Sequence, residues 1–376
     1  MPLSPTLLGK LSPRGFLARY WQREALLVRR AVEGFHGIVT LPGLVRLAAR
    51  DDVESRLVVR AGRTYELAHG PFRRADWKAL PERQWTLLVQ GLNLHDDDAD
   101  ALLRAFAFIP YARLDDVMVS YAAPGGGVGP HFDSYDVFLL QGFGRRRWRY
   151  GRQADLSLRE GPPVKILRRF TPSHDDVLGP GDMLYLPPSY AHDGVAVEAC
   201  TTYSIGFRAA THTEMAQHFL DHLRDRLDIP GRYADPGLRP AREPARIDAQ
   251  VQRHAARELA KIRWSRRDVS RFLGEFLSEP KADVYFDPPQ AQLSLRGFAA
   301  AARRKGVRLD RRAQWLFDDH ALYANGETRA WPRGARTAFV TLANARALSP
   351  AQVKPLQEEA IAVLHDDYRN GSLHVG

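Results

Sequence analysis

The sequence predicts an α+β protein: a central all-β barrel or sandwich, a helical stretch behind it, and a small α+β domain of winged-helix type at the end. Three observations predict it. From Val117 to Phe207 short apolar runs (VMVSYAA, DVFLLQG, RRWRYG, DMLYLP, TTYSIGF) are split by Gly/Pro turns, the texture of short strands. After about Ala210 the apolar spacing becomes helical, with Phe219, Leu223 and Leu227 at four-residue steps. Near the end Asn325-Gly326 lies between Leu322-Tyr323 and Thr328, a strong signal for a two-residue hairpin turn. At about 100–200 residues per domain, the 376 residues divide into 1–210 (holding the barrel), 211–278 (helical region) and 279–376 (winged-helix-like domain).

The elements follow in order. Residues 15–32 read as a short helix running into a strand at Leu26-Leu27-Val28. Residues 83–107 carry mixed helical patterns around Trp85, Leu87 and Leu88, then Leu102, Leu103 and Phe106. The PGGGVGP stretch (124–130) looks like a phosphate loop, but no Lys-Ser/Thr follows. Its glycines let the chain turn sharply into the next segment. Residues 213–227 and 246–278 read as helices separated by a Pro/Gly/Arg-rich loop at 229–244. Residues 279–291, with Pro280, Pro288 and Pro289, read as a linker. The last part reads helix, strand, turn, strand, helix, helix.

Composition excludes several classes. Hydrophobic residues are 44% and charged residues 26%, so the chain is globular and not disordered. No run approaches the roughly 20 apolar residues of a membrane helix. Met1 to Arg14 has no unbroken apolar core, so no signal peptide is read. Cys200 is the single cysteine, which excludes an intramolecular disulfide and multi-cysteine zinc sites. It is expected to be a packed, inert thiol. A cytoplasmic protein is expected. The net charge of +10 comes from 47 arginines against 7 lysines. Such a bias marks either a nucleic-acid or ribosomal partner or an arginine-rich proteome. Apart from Arg145-Arg146-Arg147 the arginines are dispersed.

The sharpest chemical signal is Pro130-His131-Phe132-Asp133. In a strand, positions i and i+2 share a face, so His131 and Asp133 point the same way. A second segment, GPGDMLYLPPSYAH (179–192), is a turn, a buried strand, another turn and a histidine, His192. Two histidines and one carboxylate make the facial triad that leaves positions open on iron(II). The plain alternative is two ordinary core-edge histidines. A third segment, GRRRWRY (144–150), puts Arg146, Trp148 and Tyr150 on one face by alternation, with Arg145, Arg147 and Arg149 on the other. The Arg146 face carries the aromatics, so it is read as inward. An inward arginine needs an anionic partner, which a dicarboxylate co-substrate supplies. A fourth, DVMVS (116–120), places Asp116, Met118 and Ser120 on one face, with Ser120 beside Arg146. Asp116 then wants a cationic guest, and Asp115 is read as outward. His218 and His222 have the i,i+4 spacing of a zinc pair, but no glutamate follows His218. They are expected on a solvated helix face.

The segments HFDSYDVFLLQGFGRRRWRYG (131–151), PGDMLYLPPSYAHDG (180–194) and TYSIGFRA (202–209) closely resemble the bacterial JmjC-type ribosomal oxygenases. The resemblance continues in YWQREALLVRRA (20–31), SRLV (55–58), HGPF (69–72) and PGGGVGPHFD (124–133), and weakly in ALYANGE (321–327). It implies a double-stranded β-helix catalytic domain, a helical dimerisation region and hence a homodimer, and a winged-helix domain at the end. It implies Fe(II) ligands at His131, Asp133 and His192, and 2-oxoglutarate contacts at Ser120 and Arg146. It implies an arginine pocket at Asp116, Met118, Tyr135 and Ser204, and hydroxylation of an arginine of ribosomal protein L16. The implied chemistry is oxidative decarboxylation of 2-oxoglutarate by O2 to succinate and CO2, coupled to hydroxylation. Phe143, Ser134 and Cys200 depart from the family pattern without removing a ligand.

Three readings therefore stand: an arginine hydroxylase, a non-catalytic metal-binding cupin joined to a DNA-binding winged helix, and a same-fold hydroxylase of histidine or of a non-ribosomal protein. Arg146 with Ser120 argues against the second, because a sensor needs no dicarboxylate clamp. Asp116 favours a cationic target over neutral histidine. A nucleic-acid partner for the winged helix is not expected.

Overall fold

Ser12 opens the first helix, Pro13–Arg19: its hydroxyl accepts from the Gly15 N–H, and Pro13 fits the first helical position. The chain then enters the short strand Leu26–Val28, as the sequence predicts. The computed structural model describes residues 7–62, 64–282 and 284–376. Its contacts divide the chain into two units. The first runs to Ala209 and includes Ala282–Phe286 and Asp310–Arg312; the second holds the remainder.

The first unit is built on two antiparallel sheets. The larger has eight strands, in spatial order Leu26–Val28, Met183–Leu186, Val137–Gln141, Cys200–Phe207, Leu114–Ala122, Trp85–Val89, Ser55–Ala61 and Thr64–His69. The smaller has three, in order Ala191–Ala196, Arg146–Gly151 and His174–Leu178. Strand alternation sorts side chains between two cores. Phe138, Leu140, Val117, Val119, Tyr203 and Ile205 turn to the outer core, against Phe16, Leu44, Leu103 and Phe106. Val137, Leu139, Leu184 and Leu186 turn inward and pack on Trp148, Tyr150 and Leu178 of the smaller sheet. Cys200 is buried against Ala122 and Ala196, the packed thiol expected.

Two sequence expectations change here. Trp85, Leu87 and Leu88 belong to a strand, Trp85–Val89, held between Ser55–Ala61 and Leu114–Ala122. A strand with neighbours on both sides and both faces covered loses its alternation, so its apolar run mimics a helix. The expected helix at 246–278 is two helices, Ala249–Leu259 and Arg266–Ser278. Ser265 and Asp268 form a reciprocal capping box that starts the second, with Ser265 N donating to Asp268 Oδ2 at 2.7 Å. The earlier helix is His212–Arg224, opened by the same device at Thr211 and Glu214.

Those helices fall in the second unit together with the elements of the C-terminal part. There the helix Leu295–Lys305, the helix Arg336–Ala345 and the helix Glu358–Arg369 surround buried Phe298, Trp315, Phe339 and Leu364. The predicted hairpin is present: Leu322–Ala324 pairs with Glu327–Arg329, and Asn325 and Gly326 take φ of 53° and 88°. Arg329 reaches from it to fully buried Asp367 at 2.7 Å. His222 is not solvated. It is buried where Phe219 stacks edge-on against Phe272, and its Nδ1 is 3.1 Å from Glu275. Helix-to-helix packing covers that face, which spacing within one helix cannot reveal. Among the described residues no helix is long and apolar enough to cross a membrane.

Candidate active site

The inner faces of the two sheets enclose a cavity of about 490 Å³. Its floor depends on backbone contacts that only small residues permit. A side chain at Gly127 would place Cβ 2.5 Å from the Gly194 carbonyl oxygen. Gly129, at φ 81°, would collide with Ile166 and Tyr65. This close passage lets His131 and His192 exchange backbone hydrogen bonds of 2.9 and 2.8 Å, an isolated antiparallel bridge. Their rings stand 4.2 Å apart between centroids.

His131 Nδ1 contacts the Gly129 carbonyl at 2.8 Å, and His192 Nδ1 contacts the Tyr190 carbonyl at 2.9 Å. Each ring thus donates from Nδ1 and presents Nε2 to the cavity, the arrangement that fixes a metal-ligating tautomer. Asp133 Oδ2 lies 3.7 Å from His192 Nε2. One donor atom from each of His131, Asp133 and His192 falls within 4.8 Å of the others. Burial, with the neighbouring His131 ring, holds the His192 pKa well below the ordinary imidazole value, against an opposing pull from Asp133. Its ring is therefore neutral, the form a metal needs. Two imidazole nitrogens and one carboxylate on one side of a cavity suit a divalent iron with open positions.

The local conformation differs from the strand the sequence suggests. Only His131 sits in a β-bridge, and residues 132–136 are irregular. Asp133 reaches the histidines because the segment is pinned elsewhere. Its carbonyl accepts from Ser189 N at 2.8 Å. Fully buried Asp136 accepts from the Tyr185 hydroxyl at 2.6 Å and from Gln22 at 3.0 Å. Sequence spacing offers no signal for that anchor, since its partners lie 49 and 114 positions away.

Alternation does hold in the strand Arg146–Gly151. Arg146, Trp148 and Tyr150 are buried and Arg147 is exposed. Arg147 pairs with Asp175, Arg145 with Glu198 and Arg149 with Asp193, all away from the cavity. Arg146 Nη1 donates to Ser120 Oγ at 3.0 Å, and its guanidinium stands over the Trp148 ring at 5.8 Å. Among the described residues its buried Nε and Nη2 find no hydrogen-bond partner. These two atoms form one edge of the guanidinium, the edge that meets both oxygens of a carboxylate. The donor set therefore fits an acidic co-substrate.

Asp116, Met118, Tyr135 and Ser204 line the same cavity, with Ser204 directly opposite Met118 across paired strands. Asp116 is buried and accepts from Gln90 Nε2 at 2.7 Å; Gln90 Oε1 in turn accepts from Arg56 at 3.4 Å. Sequence reasoning missed Gln90 and Arg56, which come from neighbouring strands. Asp115, expected outward, stands at the cavity rim 3.7 Å from Arg208. The facing strand shifts register between Ile205 and Phe207, which breaks the simple alternation there. Tyr135 is 39% exposed at the mouth. Burial, then Asp133 and Asp116, push its phenol pKa up, so it stays protonated.

Comparison with known proteins agrees with this class of site. Residues 101–215 match the JmjC domain model, and residues 261–374 match the ROXA-like winged helix. The chain is 35% identical over 322 residues to the ribosomal protein uL16 3-hydroxylase of Escherichia coli (strain K12), covering 83% of this chain and 84% of that one. It is 39% identical over 203 residues to a probable ribosomal oxygenase of Haemophilus influenzae, covering 53% and 50%. The X-ray structure of E. coli ycfD superposes with a TM-score of 0.84 at 32% identity, over 97% of this chain and 98% of that one. A structure of the same relative in complex with cobalt and 2-oxoglutarate gives 0.81 at 31% identity, with the same coverage. The chain belongs to the JmjC ribosomal oxygenases, a family of 2-oxoglutarate-dependent enzymes.

Proposed function

We propose that this protein hydroxylates an arginine side chain of ribosomal protein L16, with Fe(II) as cofactor and 2-oxoglutarate and O2 as co-substrates. His131, Asp133 and His192 would hold the metal, which when bound supplies the oxidising power for hydroxylation. The chain's own residues supply the positioning. Arg146, steadied by Ser120, grips the far carboxylate of 2-oxoglutarate and fixes its orientation beside the triad. Trp148 screens that contact from water, which strengthens it. Met118 and Ser204 shape the wall along which the target side chain enters.

The observation that carries the arginine reading is buried Asp116, braced by Gln90 in the cavity wall that Tyr135 also lines. A carboxylate with an aromatic ring suits guanidinium, which pairs in a plane and stacks. Lysine keeps the charge and loses the planar pairing. Neutral histidine brings the carboxylate no opposite charge. Mass spectrometry of L16 peptides incubated with enzyme, Fe(II), 2-oxoglutarate and O2 tests this. Asp116→Ala is expected to cut peptide hydroxylation by about tenfold or more, a charged hydrogen bond being worth roughly 1.5–3 kcal/mol, while 2-oxoglutarate binding is spared. A peptide with lysine for the target arginine is expected to be poor. Equal turnover of both peptides overturns the pocket.

The protein is proposed to act in the cytoplasm as a homodimer joined through the helices of 211–278, between a catalytic region at 1–210 and a winged-helix region at 279–376. The helices of this region carry the apolar side chains Phe219, Leu223, Leu227, Leu259, Ile262, Phe272 and Phe276; Leu223 and Phe272 are buried inside the second unit, while Phe219, Ile262 and Phe276 are partly buried. Leu227 and Leu259 stay exposed, as do Leu220 and Trp264, an unusual set for a lone surface. Sedimentation equilibrium at micromolar concentration is expected to give a dimer, and Leu220→Glu with Leu259→Glu a monomer. A monomeric parent protein contradicts the assignment.

A further inference from the structure

On its other side, the strand Arg146–Gly151 borders a second cavity, of about 550 Å³, lined by Arg60, Tyr65, Arg149, Arg159 and Asp193 among others. We propose that this cavity is an anion site that takes a phosphate group, separate from the catalytic cavity. The neighbouring outward arginines are already neutralised: Arg145 by Glu198 and Arg147 by Asp175. Among the described residues, the only arginine of the cavity that is matched is Arg149, by buried Asp193. Among the described residues, the Arg60 side chain hydrogen-bonds only the Gly62 carbonyl, at 3.2 Å. The Arg159 guanidinium and the Tyr65 hydroxyl have no hydrogen-bonding or ion-pairing partner among the described residues.

Three guanidinium groups against one carboxylate leave two positive charges around one concave space. A phosphate group carries about −1.5 to −2 at neutral pH and three acceptor oxygens. It can take the forks of Arg60 and Arg159 together with a phenolic donor. A single carboxylate would neutralise half of that charge. Tyr65 remains a donor, because burial raises its phenol pKa. Asp193 Oδ2 is paired with Arg149, which partly offsets that carboxylate's charge toward the guest.

The site also has a place in the architecture. Pro130 and Ile166 complete its wall, and Leu167 N donates to the Pro130 carbonyl at 2.8 Å. Val164 and Lys165, one and two residues before Ile166, line the catalytic cavity instead. An anion bridging Arg60 and Arg159 thus ties the strand Ser55–Ala61 to the segment that walls the substrate mouth.

The test is calorimetric titration of the metal-free full-length protein in phosphate-free buffer. One arm uses inorganic phosphate and the other a 5′-phosphorylated ribo-oligonucleotide. Saturable binding is expected in at least one arm, weakened by about tenfold or more in the Arg60→Ala/Arg159→Ala double variant, since hydrogen bonds to charged groups are strong. Tyr65→Phe is expected to weaken it less, and Arg145→Ala not at all. Thermal melts establish that each variant is folded. Binding by inorganic phosphate identifies a small anion as the source; binding by the oligonucleotide alone identifies a polymer phosphate. No saturable binding, unchanged affinity in the double variant, or loss in Arg146→Ala instead overturns the proposal.

Discussion

Arg146→Ala enzyme is expected to need far more 2-oxoglutarate for half-maximal turnover, by roughly tenfold to a hundredfold, since a charge-assisted pair is worth about 1.5–3 kcal/mol. The physical ground is the Nε/Nη2 edge of Arg146, which is buried and has no acceptor among the described residues, while Nη1 is spent on Ser120. A buried guanidinium without a carboxylate partner costs stability in the free protein. The same variant should therefore melt no lower than the parent, and added 2-oxoglutarate should no longer raise its melting temperature. Arg146→Lys should fall between, because it keeps the charge and loses the fork. Arg147→Ala is the control: its side chain faces outward on Asp175 and should leave co-substrate affinity unchanged. Co-substrate titration and thermal melts on the three variants decide the matter. Identical behaviour of the Arg146 and Arg147 variants contradicts the assignment of faces.

The second large effect is expected at Asp133. Asp133→Ala should reduce metal affinity and turnover by more than about a hundredfold, beyond the 10–100-fold cost of losing a group that only orients a ligand. The fold should survive, because the segment is held by the Asp133 carbonyl and by Asp136, and neither contact uses the Asp133 side chain. Metal titration by calorimetry and succinate formation are the two readouts. An Asp133→Ala protein that binds metal and turns over like the parent would falsify the triad.

Much of the cavity was legible one strand at a time. Alternation separated Arg146 from Arg147 and Arg149, and aligned Asp116, Met118 and Ser120, because each strand carries its own two-residue period. The Asn325-Gly326 hairpin was legible for a similar reason: two residues at positive φ are a local requirement. The helix break before Ser265 was local too, and its Ser-x-x-Asp capping box could have been read. Trp85–Val89 could not, because burial on both faces erases its period. Alternation reached Asp133 through a strand that is not there, so its place in the cavity rests on the Asp136 anchor.

By itself, then, the sequence determined which face Asp116, Met118 and Ser120, and Arg146 and Trp148, take within their own strands, since backbone geometry over a few residues sets it. Tertiary structure alone decided which segments meet. His131 and His192 are brought together by a backbone bridge across sixty-one positions, through a gap that Gly127 and Gly194 keep narrow. Gln90 braces Asp116 from the strand pairing that sets Trp85–Val89 beside Leu114–Ala122. His222 is buried because another helix covers it. Each of these depends on register or packing between distant elements, and no repeat within either partner encodes it.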